Sequence, residues 1–358
     1  MYNSVYRGRR VLVTGHTGFK GSWLCRWLEL LGAIVAGYSL NPVTDPNHFD
    51  LLKLKIKSYV NDIRDYDSLK SVILDFEPEI IFHLAAQPSV LRSYDQPIET
   101  LSTNIMGTVN ILEICRNAPS VKSVLIVTTD KCYQNNEWVY GYRENDMLGG
   151  HDPYSASKAC AEIITSCFRK SFTSQIENAP LIASARAGNV IGGGDWTENR
   201  IVTDAIIAAS KDEVLKIRNP KSSRPWQHVL EPLSGYLLLG QLMFEGNGKA
   251  PDAWNFGPTI YSNLTTEDLI QRMGNEWNKI RAIHFISPNA KYEAGLLMLD
   301  STKANSLLGW YPVWGIQETI KHTVDWYRKY FEDNVLITDN QIELYMSEAT
   351  TKSLRWAI

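Results

Sequence analysis

Cysteine chemistry is largely missing from this sequence. Its five cysteines (Cys25, Cys115, Cys132, Cys160 and Cys167) include no C-x-x-C pair and no His/Cys spacing suited to a metal, and their number is odd. They read as free thiols in a reducing compartment, with no metal site expected. No apolar run approaches the roughly 20 residues of a membrane span, so none is expected. Met1 to Arg10 is polar and runs straight into an apolar strand, which predicts no secretory leader and a cytoplasmic protein. Charge of one sign is also scarce. The 36 Lys and Arg against 39 Asp and Glu leave a net charge of -3, with no basic block, which argues against nucleic acid or an anionic membrane as partner. There is no internal repeat and no low-complexity segment.

What is present is an alternation of short apolar runs with amphipathic segments over the first two-thirds of the chain. That pattern predicts an α/β fold of Rossmann type, a doubly wound parallel sheet. Strands are expected at Arg10 to Thr14, Ile34 to Leu40, Ile80 to Ala85, Ser123 to Thr128, Leu181 to Ala187 and Ala253 to Phe256. Helices are expected at Gly18 to Leu31, Pro153 to Ser171, Ile201 to Ser210, Pro232 to Phe244 and Ile316 to Tyr330. Ile191 to Arg200 and Lys221 to Val229 read as loops. The domain reading is residues 1–188 plus about 229–257 for the dinucleotide, and about 189–228 plus 258–358 for a smaller, mixed α/β substrate lobe. Thr338 or Asp339 is the expected N-cap of a helix within the last ~25 residues.

Where the first strand turns into the first helix stands Thr14-Gly15-His16-Thr17-Gly18-Phe19-Lys20-Gly21. Glycines 15, 18 and 21 permit a tight turn and close approach to a pyrophosphate, and the helix N-terminus offers free N–H groups and a positive dipole end. This G-x-x-G-x-x-G is a variant of the dinucleotide fingerprint, here in the strand–helix context that gives it meaning. The acidic residue that usually grips the adenosine ribose after the second strand is absent. Ser39 and Asn41 are the candidates there, and no arginine waits for a 2′-phosphate, so NAD is favoured over NADP. Asp62 and Ile63, after the third strand, are candidates to bracket adenine, with a solvated charge cluster as the alternative.

The second constellation lies at the carboxyl end of the strand Ser123 to Thr128, where active sites of open α/β sheets form. Thr128, Thr129, Asp130 and Lys131 bring hydroxyls, a carboxyl and an amine together. Tyr154 and Lys158 follow, four apart and so on one face of a helix. A tyrosine of pKa about 10 is a poor base at neutral pH. The expectation is that Lys158 and a cationic nicotinamide lower it. His83, inside an apolar strand, reads as a satisfied core histidine.

Together with Leu84-Ala85-Ala86-Gln87, Asn104 and Leu308-Gly309-Trp310, these motifs resemble the extended short-chain dehydrogenase/reductases over nearly the whole chain. Within them, Thr129-Asp130 before Tyr154-x-x-x-Lys158 resembles the nucleotide-sugar 4,6-dehydratases; the family's epimerases generally lack that carboxylate. GDP-mannose dehydratases typically show Thr-Ser-Glu there and dTDP-glucose dehydratases Thr-Asp-Glu. Thr-Asp-Lys, with the run from Arg186 to Trp196, is similar to the branch acting on CDP-glucose. The resemblance implies an NAD-dependent oxidation at C4, loss of water across C5 and C6, and return of hydride to C6. Tyr154 would take the 4-hydroxyl proton, Thr129 would hold the 4-oxygen, and Asp130 would protonate the leaving 6-hydroxyl. Lys131 replaces the usual glutamate. It is either a C5 base with a depressed pKa or a cation stabilising the enolate.

The resemblance further implies that Leu84, Ala85, Ala86, Gln87, Asn104 and Thr128 touch the cofactor. Diphosphate contacts are expected from Asn189, Arg200 and Arg224, arginine being suited to bidentate phosphate binding. Trp196 and Trp226 are candidates to stack on the base or sugar, and Ser89, Ser93 and Tyr94 to touch the hexose. By analogy the helices from Pro97 and from Pro153 pair between subunits, giving a homodimer or homotetramer. The rival reading is a UDP-sugar 4-epimerase.

Overall fold

The structure, a computed structural model, describes residues 1–173, 179–217, 219–259, 262–284 and 296–358. Seven strands form one parallel sheet: β1 (Arg10–Thr14), β2 (Ile34–Ser39), β3 (Lys57–Val60), β4 (Ile80–His83), β5 (Ser123–Val127), β6 (Leu181–Ala187) and β7 (Ala253–Phe256). Their spatial order is β7-β6-β5-β4-β1-β2-β3. The winding reverses between β1 and β4, whose register pairs Val11 with Ile80 and Thr14 with His83. That switch opens the crevice where open α/β sheets bind ligands. The expected strands are present, most ending within a residue or two of the expected bounds.

Both faces of the sheet are covered, which explains why its strands read as unbroken apolar runs. Val11 and Val13 point into a core with Trp23, Trp27 and Trp254. Leu12, between them, points into a second core with Ile81, Leu112 and Val124. The first face is covered by α1 (Phe19–Leu30) and the second by α2 (Gly107–Arg116). The catalytic helix is α3 (Pro153–Phe168), capped by Asp152 accepting from the Ser155 N–H, with proline at its start. Beyond it come α4 (Ile201–Ser210) and α5 (Leu230–Phe244), the latter buried nearly all round.

Lys221 to Val229 differs from the expected loop. It contains two short strands, Ser223–Pro225 pairing antiparallel with Asn263–Thr265, and Gln227–His228 pairing parallel with Val190–Ile191. Both depend on partners distant in sequence, so no local period announced them.

The chain ends in α6 (Ile316–Asp333) and α7 (Thr338–Thr351). Thr338 is not the N-cap. Ile337 holds that position without a side-chain bond, while the Thr338 hydroxyl bonds His48 Nε2 and accepts from Trp326 Nε1, each at 2.9 Å. α7 lies along α1: the Arg26 guanidinium donates to both oxygens of Asp339 at 2.6 and 2.7 Å, and Trp27 meets Tyr345 edge-on.

Candidate active site

The turn between β1 and α1 fits a phosphate cradle. Gly15 has φ +74°, and a Cβ there would lie 2.7 Å from the Ala85 nitrogen; at Gly21 it would lie 2.1 Å from the Gly15 oxygen. Neither position admits a side chain. Gly18 occupies the N-cap of α1 with no side-chain cap, so first-turn N–H groups stay available to an anion. At the end of β2, Thr17 and Ser39 share a hydroxyl–hydroxyl bond of 2.9 Å, and Thr17 also contacts the Leu40 carbonyl. Asn41 is exposed.

Several polar residues expected at the ligand are held by the protein itself. Asp62 is clamped by Arg64, which keeps its carboxyl below the usual range. Ile63 is buried in the core, with Asn110 donating to its carbonyl. Asn104 accepts from the Gln87 N–H at 2.8 Å and donates to the Gln87 carbonyl and to the Ser157 hydroxyl. It therefore staples the segment after β4, including Leu84 to Gln87, to the catalytic helix. Thr128 donates to Glu162. Ser89 caps the short helix Val90–Asp95, Ser93 is buried, donating to the Val90 carbonyl, and Tyr94 is partly exposed.

Tyr154, Thr129, Asp130 and Lys131 do come together. Thr129 acts on the Tyr154 hydroxyl, lowering its pKa, and donates to Asp130 Oδ1 at 2.9 Å. Lys131 Nζ lies 3.9 Å from the same oxygen, while the other, Asp130 Oδ2, is buried and has no partner among the described residues. Gly188 leaves room beside it, since a Cβ there would lie 3.1 Å away. Tyr154 differs from expectation in one respect. Its pKa is pushed up to about 12, burial outweighing the Thr129 bond. Lys158 donates to the Val127 carbonyl at 3.1 Å, and burial lowers its amine to about 8 against the pull of Glu162.

Sequence reasoning missed Glu162. It continues the Tyr154–Lys158 stripe by another four residues, and accepts from Ser184 and Arg186 at 2.7 Å. The spacing was the available signal. His83 bonds Thr14 at 2.8 Å, a satisfied core histidine as expected.

Of the expected substrate residues, Arg200 reaches the site, held 2.6 Å from Asp195 and acting on Tyr154. Asn189 Oδ1 is buried without a partner among the described residues. Arg224 is buried and donates to the Ser223 carbonyl. The tryptophans differ from expectation, because both are core. Trp226 donates to the Leu264 carbonyl, and Trp196 meets Tyr327, Tyr330 and Phe331 edge-on. Among the described residues no His/Cys/Asp/Glu group could hold a metal, and no helix is long and apolar enough to cross a membrane.

Residues 12–323 match the model of the GDP-mannose 4,6 dehydratase family, and the chain belongs to that family. It is 47% identical over 352 residues to CDP-glucose 4,6-dehydratase of Salmonella typhimurium, covering 96% of this chain and 98% of that one. A UDP-glucose 4-epimerase of Mycolicibacterium smegmatis is 26% identical, with 89% and 98% covered. The fold is shared with the crystal structure of Bacillus anthracis dTDP-glucose 4,6-dehydratase in complex with NAD, at TM-score 0.75 and 20% identity over 90% of this chain and 97% of that one.

Proposed function

We propose that this chain is an NAD-dependent hydro-lyase that converts CDP-glucose to CDP-4-keto-6-deoxyglucose and water. The nucleotide choice is supported by the Salmonella relative. The observation that carries the reaction class is Asp130, a buried carboxyl with a free oxygen within one hydroxyl of Tyr154. A 4-epimerase, which has no water to expel, has no task for it.

Bound NAD would supply the hydride acceptor and donor that oxidation at C4 and reduction at C6 require. Gly15, Thr17, Gly18, Phe19, Lys20 and Gly21 would hold its phosphates, and Ser39, Asn41, Asp62 and Ile63 its adenosine. Leu84 to Gln87 would line its path to Tyr154 and Lys158, with Asn104 and Thr128 fixing the walls. Tyr154 takes the 4-hydroxyl proton, and Thr129 holds that oxygen. A phenol at about 12 needs help to ionise; the cation Lys158 and the bound ring's charge supply it. Once C4 is a ketone the C5 proton is acidic. Lys131 takes it, or stabilises the enolate while the proton passes to solvent; Asp130 protonates the departing 6-hydroxyl, and a proton returns to C5 once C6 has been reduced. Asn189, Arg200 and Arg224 bind the diphosphate. Ser89 and Trp226 act from outside the contact shell, through a helix cap and a core bond.

The lobes are read as residues 1–188 with about 229–257 for NAD, and about 189–228 with 258–358 for the nucleotide sugar. The protein is placed in the cytoplasm, in a deoxysugar pathway of O-antigen type. Ile98 and Ile163, 82% and 57% exposed on the helices beginning at Pro97 and Pro153, support pairing into a homodimer or homotetramer, which sedimentation would measure. The function test is incubation with UDP-, dTDP-, GDP- and CDP-hexoses without added reductant. A 4-keto-6-deoxy product from CDP-glucose is expected; a plain C4 epimer overturns the reading.

A further inference from the structure

Three successive residues at the end of β5 each meet one residue of α3. Lys158 donates to the Val127 carbonyl at 3.1 Å, Thr128 donates to Glu162 Oε1, and Thr129 acts on the Tyr154 hydroxyl. Tyr154, Lys158 and Glu162 fall four apart, on one stripe of the helix. Glu162 takes no step in the chemistry proposed above, yet its carboxylate is buried and bonded at both oxygens. Oε2 accepts from the Ser184 hydroxyl and the Arg186 guanidinium, each at 2.7 Å and both on β6. Arg186 is fixed in turn, donating to the Tyr133 hydroxyl at 2.7 Å and the Glu144 carbonyl at 3.0 Å. Burial disfavours the charge on Glu162; Arg186, with the Thr128 and Ser184 bonds, outweighs it and holds the carboxyl below its usual range. One anion therefore joins the catalytic helix to the ends of two strands. β5 runs on into Thr129, Asp130 and Lys131, and β6 into Gly188 and Asn189.

We propose that Glu162 is a positioning residue for the oxidation at C4, acting through Thr128 to hold the end of β5 against α3. The inference rests on the dehydratase reading above. Tyr154 belongs to the helix and Thr129 to the strand end, and both must close on one atom, the 4-oxygen of the sugar. Their separation is set by whatever joins those two elements beside them. The Lys158 bond is a weak gauge, because a flexible four-carbon stem carries it. The Thr128 bond starts one residue from Thr129 and ends on an acceptor that β6 fixes from behind. A hydroxyl donating to a carboxylate is a strong bond, and a misplacement of about 1 Å can cost about 10²-fold in rate.

The test measures kcat for CDP-glucose per site that binds NAD, KM, and Kd for NAD in the wild type, Thr128→Val, Thr128→Ser and Glu162→Gln. Amide exchange of residues 129–132 is followed in the same proteins without ligand. Thr128→Val keeps the shape of the side chain and removes its donor. It should lower kcat by about tenfold or more, leave KM and Kd within about twofold, and speed exchange at the strand end. Thr128→Ser, which restores the hydroxyl, should recover most of the rate. Glu162→Gln should slow the enzyme at least as much, and Thr128→Val added to it should slow it no further, because one bond is lost only once. Breaking a buried ion pair can unfold a protein; should Glu162→Gln do so, the two Thr128 variants decide. Wild-type kcat or unchanged exchange in Thr128→Val overturns the proposal, as does a Thr128→Ser no faster than Thr128→Val. So do losses that multiply between Thr128→Val and Glu162→Gln, or a loss confined to KM or to Kd, which would make Thr128 a ligand contact. A wild type that forms no 4-keto product from any of the four nucleotide hexoses overturns the dehydratase reading itself.

Discussion

Asp130 and Glu231 are both carboxyls with 0% exposure, and the protein treats them in opposite ways. Glu231, on α5, accepts from the Trp314 and Val313 N–H groups at 2.7 and 2.9 Å and from the Tyr345 hydroxyl at 2.7 Å. Each of its oxygens is satisfied, and the bonds draw in a segment before α6 as well as α7. Asp130 receives Thr129 on one oxygen and keeps the other bare. A bare buried carboxyl oxygen costs stability, which the fold recovers elsewhere and which a substrate hydroxyl can relieve. The first arrangement fastens the chain's end to α5; the second is reserved for a ligand.

Substitution can break this contrast. Tyr154→Phe should lower kcat by about 10²-fold or more, the scale of lost general acid–base catalysis, with the melting temperature and NAD binding kept. Steady-state rates near wild type would remove Tyr154 from the chemistry. Asp130→Asn should permit C4 oxidation and stall elimination, so that absorbance of NADH accumulates on the enzyme in a single turnover. Unimpaired release of the 6-deoxy product would dissolve the division of labour between Tyr154 and Asp130.

Glu231→Ala should behave inversely, costing roughly 2–4 kcal/mol of stability because it strands two backbone N–H groups and a phenol, with little change in kcat of the folded fraction. Chemical denaturation measures the first and initial rates the second. Burial raises Glu231 to about 7, against the Trp314 N–H, Tyr345, the Val313 N–H and Lys352. The folded state therefore binds more protons than the unfolded one between the ordinary carboxyl value of about 4.3 and 7, and this group's contribution to stability falls as pH rises through that window. Glu231→Gln should abolish that slope. The smallest effect belongs to Asp339→Asn, which loosens a partly exposed pair with Arg26 and should cost less than about 1 kcal/mol, seen as a shift in Tm of a few degrees at most.

How much of this could be read in the sequence follows from how local each device is. The glycine turn and the Tyr154–Lys158 pair are written within one or two turns of chain, and both were legible. Glu162 was legible in principle, as the next step of the same stripe. Trp226 and Trp196 looked like loop aromatics because their partners, Leu264 and Tyr327, lie far along the chain. Asn104 resembled a cofactor ligand, yet its amide is taken up by Gln87 and Ser157. Glu231 could not be found at all. Its partners lie 82 to 114 residues away, and nothing nearby marks it as more than one acid in an apolar helix.

Helix α1 has a consequence of its own. Its tip faces the expected dinucleotide, while its flank carries Trp23, donating to the Gly193 carbonyl at 2.9 Å, and Arg26, held to Asp339. A ligand that quiets the tip must quiet what leans on the flank. Amide exchange in residues 338–351, which lean on the flank of α1 and not on its tip, should therefore slow when NAD is added.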